Sequence, residues 1–138
     1  MSAPIAEKLF NIQTRYAETT AIGKGLIVIA GTASNQVKLP GAAEAAYNIG
    51  VTVTAAAAAG DPIDIVMLNS GSLVKMVVNA ASPAIVKGDF ISSHGTTGRG
   101  RQWTAANAKY GVGYALEAAT ADADIIIVAV CVIAPPAS

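Results

Sequence analysis

The sequence predicts an all-β protein, a small β-sandwich or barrel with an internal pseudo-repeat. Short segments rich in Val and Ile recur at regular spacing, and Gly, Pro, Asn and Asp turn signals separate them. No long amphipathic helical pattern lies in the body of the chain, and one pattern of residues occurs twice. With 138 residues the chain has the size of one domain. We assign residues 1–20 to an N-terminal arm, 21–134 to the β domain and 135–138 to a C-terminal tail, which contains two prolines.

The clearest unit of the pattern is Gly111–Val132, which consists of a short strand, a turn of small residues and a longer apolar strand. A similar unit runs over Gly50–Leu68. In both units an aspartate follows the first glycine by 11 positions (50 to 61, and 111 to 122).

The similarity extends upstream, because both units are preceded by Ala-Ile-x-Lys-Gly, at 21–25 and 84–88. We therefore predict an internal duplication of about 22–68 and 85–132. The alternative is that Lys-Gly-Asp and Ala-Gly-Asp are general turn sequences that any β protein contains.

The strands follow from the apolar runs between turn signals. Two connections carry specific expectations. Asn69-Ser70-Gly71 predicts a hairpin between Ile63–Leu68 and Leu73–Val78, and His94–Arg101 predicts a polar, glycine-rich loop. The other predicted strands are Gly25–Ala30, Val37–Leu39, Ile49–Val53, Phe90–Ser92, Gln102–Thr104, Tyr114–Leu116 and Ile125–Ile133.

The first 20 residues differ from the rest. Ile5, Leu9, Ile12 and Tyr16 fall at helical spacing with charged residues between them, which predicts a short amphipathic helix. The threonines of 11–20 favour an extended segment equally well. In either form we expect an arm that is ordered only against a partner or a neighbouring subunit, with these four residues as contacts.

Composition argues against several classes of partner. The net charge is zero, with nine basic and nine acidic residues, so electrostatic binding to nucleic acid or to an anionic membrane is not expected. Charged residues make up only 13% of the chain, and alanine makes up about a fifth. Such a surface is suited to being covered by a partner or by other copies of the chain; the alternative is a simple bias towards alanine.

The single cysteine and the N-terminal sequence give limited information about the cellular compartment of the protein. Cys131 lies alone in an apolar run and is expected in the core. The N-terminus lacks the apolar segment of a signal peptide, so we expect synthesis in a cytoplasm.

No group of residues predicts catalysis, a metal or a cofactor, so we expect a protein that is not an enzyme. Asp61 with Asp64, and Asp122 with Asp124, are paired near turns, where carboxylates generally cap backbone N–H groups. His94 is the single histidine and lies beside two serines without the turn of a nucleophile elbow. Neither pattern supplies the converging ligands or the nucleophile that a site needs.

Arg99, Arg101 and Trp103 alternate cation and aromatic side chains. Such a pattern occurs in single-strand nucleic-acid binders, but in a neutral chain it favours cation–π packing or an interface anchor. The alternative for Trp103 is a half-buried residue beneath the loop. These three residues complete the list of candidate partner contacts.

The turn motifs together resemble those of the head decoration, or capsid cement, proteins of tailed bacteriophages. The resemblance covers roughly Ile22–Val132, and the sequence departs from the family at Ala121-Asp122, where Gly-Asp is usual. The residues that carry it are Gly50-Val51, Ala57-Ala58-Ala59-Gly60-Asp61, Lys87-Gly88-Asp89 and Val112-Gly113-Tyr114-Ala115-Leu116-Glu117-Ala118-Ala119.

The resemblance implies a β-rich protein on the outer surface of a phage head that binds and stabilises the lattice of the major capsid protein. It also implies a homo-oligomer, with a trimer favoured and a dimer as the alternative. A virion-surface module for attachment to a host or a glycan is the second hypothesis, and an enzyme or ligand-binding barrel is the third.

Overall fold

The computed structural model describes residues 6–40, 48–81, 83–94, 97–103 and 111–133. The first half contains strands β1 to β5, and the second half contains β6 to β10, with a short 3-10 turn at Leu68–Ser70 between them. The strands are β1 (Ile12–Ala17), β2 (Ile27–Ala30), β3 (Gln36–Lys38), β4 (Asn48–Thr52), β5 (Pro62–Met67), β6 (Leu73–Asn79), β7 (Phe90–His94), β8 (Arg99–Gln102), β9 (Gly111–Ala115) and β10 (Asp122–Ile133).

Each half closes into a five-stranded barrel, which we call barrel 1 and barrel 2. The strand order is β1-β3-β2-β4-β5 in barrel 1 and β6-β8-β7-β9-β10 in barrel 2. In both barrels the first and third strands are parallel and all other neighbours are antiparallel. The predicted all-β fold with an internal repeat is therefore confirmed. Each repeat forms a barrel of its own, and each barrel begins one strand upstream of the predicted bounds 22 and 85, with β1 or β6.

The structure corrects the alignment of the two repeats. The isolated β-bridge between Ile22 and Ala56 has a counterpart between Ile85 and Ala119. Each residue of the second bridge lies 63 positions after its equivalent in the first (22 to 85, and 56 to 119). The equivalent of Asp61 is then Asp124, rather than the Asp122 that the sequence spacing selected.

Hydrogen bonds agree with this alignment. The carboxylate of Asp61 accepts the N–H of Ala58 at 3.1 Å, and that of Asp124 accepts the N–H of Ala121 at 3.0 Å. The turn glycine Gly60, with φ of 87°, is matched by Ala123, which keeps a positive φ of 69° without being glycine. Asp61 and Asp124 thus cap turns, as predicted, whereas the Asp64 carboxylate accepts a hydrogen bond from the Thr14 hydroxyl and Asp122 pairs with Arg99.

Two local predictions are wrong. Strands β5 and β6 belong to different barrels and form no hairpin, because Gly71 adopts φ of 76° after the 3-10 turn and leads the chain away from β5. The segment predicted as a polar loop contains β8, whose Arg99–Gln102 pairs with β7.

The N-terminal segment is part of the fold, which corrects the boundary at residue 20. Strand β1 pairs with β5 over Ile12–Tyr16, so this part is extended rather than helical. Upstream, the backbone of Lys8 exchanges two hydrogen bonds with Leu73 of β6, at 2.9 and 2.8 Å. The chain therefore crosses from barrel 2 to barrel 1 within its first 17 residues, and we call residues 6–10 the strap.

The two barrels share one of two hydrophobic clusters. The smaller cluster fills barrel 1, and its largest buried members include Val28, Ile63 and Ile65. The larger cluster fills barrel 2 and also contains Ile27, Val51 and Val66 of barrel 1. Barrel 1 is thus attached to barrel 2 by an apolar row on its outer face, in addition to the strap.

Candidate interaction surface

Residues of the strap form hydrogen bonds with the start of the second half of the chain. The Ser72 hydroxyl, fully buried, accepts the N–H of Phe10 at 2.8 Å and donates to the Phe10 carbonyl at 3.1 Å. The carboxylate of Glu7 accepts the N–H of Lys75 at 2.9 Å. Leu9, a predicted partner contact, is half-buried and packs on the shared hydrophobic cluster.

Three further residues among the first 20 were predicted to contact a partner. Ile12 and Tyr16 lie on β1 and are exposed, so both remain available to a partner. The exposed Phe10 lies next to them, although the sequence pattern did not select it. Ile5 lies outside the described residues.

The predicted Arg-Arg-Trp group lies on and just after β8. The Arg99 guanidinium forms an ion pair with the Asp122 carboxylate at 2.6 Å, which joins β8 to the start of β10. Arg101 is half-buried on the same strand. The ring of Trp103 contacts Phe90 edge to face, with centroids 6.4 Å apart, and its backbone N–H donates to the Phe90 carbonyl at 2.8 Å.

Phe90 and Tyr114 extend this group into a surface that sequence analysis missed. Phe90 pairs with Tyr114 across β7 and β9, and Tyr114 pairs with Ala129 of β10. Phe90 is 53% exposed and Tyr114 is 41% exposed. We call Phe90, Trp103 and Tyr114 the aromatic row; adjacent exposed aromatic side chains of this kind are enriched in protein interfaces.

A shallow groove of about 250 Å³ lies where the barrels meet. Its apolar part is formed by Val77 and the exposed Ile125, and Lys24 and Lys75 line it as well. Gly25 closes the groove, since its carbonyl accepts the N–H of Val77 at 2.9 Å.

His94 and Glu18 form hydrogen bonds with nearby residues of the fold. His94 bonds Thr97 through Nδ1 at 3.0 Å, and the Thr97 hydroxyl donates to the His94 carbonyl at 2.9 Å. Hydrogen bonds from Thr32 and, to a smaller extent, nearby Lys38 hold the pKa of Glu18 below its ordinary value. Burial raises the pKa of the Cys131 thiol, which is half-buried on β10 rather than in the core as predicted.

Metal clusters and membrane-spanning helices are both absent from the described segments. These segments contain no group of three or more His, Cys, Asp or Glu side chains placed to hold a metal ion. They also contain no helix with the length and apolar character to span a bilayer. The candidate site is a surface for binding: the aromatic row, the exposed residues of β1 and the junction groove.

Comparison with known proteins yields a structural match. No protein-family model matches the chain, and no curated protein sequence matches it. Among solved structures, the N base of head fiber gp8.5 of bacteriophage phi29 superposes with a TM-score of 0.61 and 14% sequence identity. The alignment covers 94% of this chain and 100% of the phi29 chain, so the two chains share their fold over nearly their whole lengths.

Proposed function

We propose that this protein is a structural component of a bacteriophage virion that attaches to the outside of the head. The observation that carries the proposal is the match to the phi29 head-fiber base, which covers that chain completely. The turn motifs, which resemble those of phage head decoration proteins, also indicate a protein of the phage virion, and they do so from the sequence alone. One argument uses backbone geometry, and the other uses short sequence motifs.

We further propose that the partner on the head is the major capsid protein and that binding stabilises its lattice. A protein that binds only the assembled lattice stabilises it through its binding free energy, and the effect is repeated at every equivalent site. Exposed apolar side chains such as Ile12 and Ile125 provide contact area on a chain with few charges.

Heads that lack this protein provide the direct test. Purified protein is added to heads from a phage deleted for its gene, and sedimentation measures the amount bound per head. We expect binding to saturate, with the bound protein accessible to antibody on intact particles, and the heads to withstand a higher temperature. Failure to sediment with heads over the full concentration range would contradict the proposal, and a glycan-array signal in the same preparation would favour host attachment.

A further inference from the structure

The strap fills part of an open sheet edge on barrel 2. Leu73 of β6 exchanges two backbone hydrogen bonds with Lys8, in an antiparallel bridge. Two residues further along β6, the Lys75 N–H donates to the Glu7 carboxylate at 2.9 Å. The segment that occupies this edge is therefore extended, and it carries an acidic residue directly before the residue that pairs with β6.

Strand β1 is the equivalent of β6 in barrel 1. Tyr16 pairs with Pro62 of β5. Val77 of β6 pairs with Ile125 of β10, which lies 63 positions after Pro62. Tyr16 and Val77 are thus equivalent, and the strand pairings relate β1 to β6 by 61 positions (16 to 77).

This alignment shows which residues of β1 correspond to those that the strap binds. Ile12 is the equivalent of Leu73 (12 to 73). Thr14 is the equivalent of Lys75 (14 to 75). The two strands differ in whether another part of the chain covers these positions.

The N–H groups of Ile12 and Thr14 point away from β5. The Tyr16 N–H donates to the Asn35 carbonyl at 2.9 Å, on the side of β3, and N–H groups alternate between the two edges of a strand. Strand β3 pairs with β1 only at Tyr16 and Ala17, so the pairing begins after Thr14. Among the described residues, no group accepts the N–H of Ile12 or of Thr14. The edge that the strap fills in barrel 2 is therefore open in barrel 1.

A guanidinium group lies at the open edge. Arg15 Nη1 donates to the Thr14 carbonyl at 3.3 Å, and Nη2 donates to the Gln13 side chain. Because the N–H and C=O of one strand residue point to the same edge, the guanidinium lies on the side of the Thr14 N–H. Within the part of the chain that the structure describes, Arg15 forms no ion pair; Asp64 is on β5, across from the edge, and accepts the Thr14 hydroxyl. The equivalent of Arg15 in barrel 2 is the fully buried Met76, so this charge is a feature of the open edge.

Exposed apolar side chains accompany the open edge. Ile12 is 47% exposed, and Phe10, two residues earlier, is 54% exposed. Tyr16 is 41% exposed where the pairing with β3 begins. An unpaired strand edge with apolar side chains beside it is a template for a further strand from another chain.

We propose that the open edge of β1 binds an extended, acidic segment of the major capsid protein as an added antiparallel strand. The identity of the partner rests on the proposed function. One residue of the segment exchanges two backbone hydrogen bonds with Ile12, and the acidic side chain just before it accepts the Thr14 N–H beside the Arg15 guanidinium. Both contacts have the form of those that the strap makes with β6. Main-chain hydrogen bonds supply affinity in such a contact, and the carboxylate supplies specificity.

A second copy of this chain fits the edge less well than a different protein does. Two β1 edges paired with each other would bring two Arg15 guanidinium groups together without supplying a carboxylate to either. The strap has a suitable sequence, but its Glu7 and Lys8 are bonded to β6 of their own chain. We therefore assign the acidic segment to the head rather than to another copy.

Hydrogen exchange of the native protein on heads tests the proposal. Protein bound to heads from the deletion phage is compared with free protein, and mass spectrometry with residue-resolving fragmentation follows individual amides. The amides of Ile12 and Thr14 should exchange about 10-fold more slowly on heads, because they gain acceptors there. Leu73 and Lys75 are the matched controls and should change less, because their N–H groups are already bonded in the free chain.

Two pairs of variants test the same contacts through sedimentation with heads. Thr14→Pro removes the open N–H, and proline is tolerated at strand edges, so head binding should weaken about 10-fold. Thr14→Val is its matched control, because it also loses the hydroxyl bond to Asp64 but keeps the N–H and should bind as the native chain does. Arg15→Gln should weaken binding and reduce its dependence on salt, whereas Arg15→Lys keeps the charge and should retain most of the affinity. Thermal melting verifies that all four variants fold.

The outcomes separate this inference from the proposed function. If the native protein sediments with heads while Ile12 and Thr14 exchange as fast as in free protein, the edge contact is refuted and attachment to the head stands. Failure to sediment would refute attachment and the edge contact together. Protection of the two amides in free protein that grows with its concentration would identify a second copy as the occupant and overturn the proposal. A folded Thr14→Pro protein that binds heads as well as Thr14→Val would overturn it too.

Discussion

Replacing Ser72 by Ala should weaken the attachment of the strap to barrel 2 while both barrels remain folded. The Ser72 hydroxyl is the shared partner of both backbone groups of Phe10, and it is fully buried. A net contribution of about 0.5–1.5 kcal/mol per hydrogen bond gives about 1–3 kcal/mol for the two bonds. The strap keeps its backbone pair with Leu73 and the bond from Lys75 to Glu7, so the loss is confined to local opening.

Native-state hydrogen exchange measures this local opening. The amides of Lys8 and Leu73 report on the strap without having lost their own acceptors, and they should exchange about 5- to 150-fold faster in Ser72→Ala. Ser70→Ala is the matched control, because the Ser70 hydroxyl contacts Ser72, at 2.7 Å between the two oxygens, rather than Phe10. Unchanged exchange at Lys8 and Leu73 would refute the argument, as would an equal acceleration in β10, since that would indicate global destabilisation.

Three further variants test the packing and the electrostatics of the barrels. Thr52→Val removes a buried hydroxyl that bonds two backbone groups of the Gly25 turn, and urea denaturation should show a loss of about 1–3 kcal/mol. Gly100→Val places atoms where Met76 Sδ lies 2.6 Å from the Cβ position, so it should cost about 1–3 kcal/mol, of which Met76→Ala restores a part. Because the pKa of Glu18 is lowered in the folded state, Glu18 stabilises the protein above about pH 4.3; stability of the native chain relative to Glu18→Gln should fall as the pH drops below that value.

The sequence predicted the fold class because strands and turns have local signals. Runs such as Ile125–Ile133 and Ile63–Leu68 are apolar and β-branched, and turn residues bound them, so strand positions were predicted to within a few residues. Strand pairing has no such signal. The predicted hairpin between β5 and β6 was wrong because Asn-Ser-Gly is compatible with a tight hairpin and with a change of direction, and only the tertiary fold selects between them.

The candidate surface could be predicted only in part, for a related reason. Trp103 was selected because tryptophan and arginine together are distinctive in sequence, and in the structure its ring lies beside an exposed phenylalanine. Leu9 was assigned to a partner because its burial depends on strap contacts with residues more than 60 positions away. Phe90 and Tyr114 look like ordinary strand residues until the 63-position alignment pairs them with Ile27 and Val51.

Comparison of the two barrels distinguishes two reasons for apolar residues in a β protein: filling the interior of a barrel and packing against a neighbour on its outer face. Interior positions of both barrels are apolar because each barrel must fill its own core. An outer face has no such need, and the outer face of barrel 1 around Thr14 and Asp64 is polar, with a hydrogen bond of 2.7 Å between these side chains. Phe90 and Tyr114 lie on the outer face of barrel 2 and are aromatic although water reaches them. Their equivalents in barrel 1, Ile27 and Val51, are apolar because barrel 2 covers them, so coverage by a binding partner would account for Phe90 and Tyr114 in the same way.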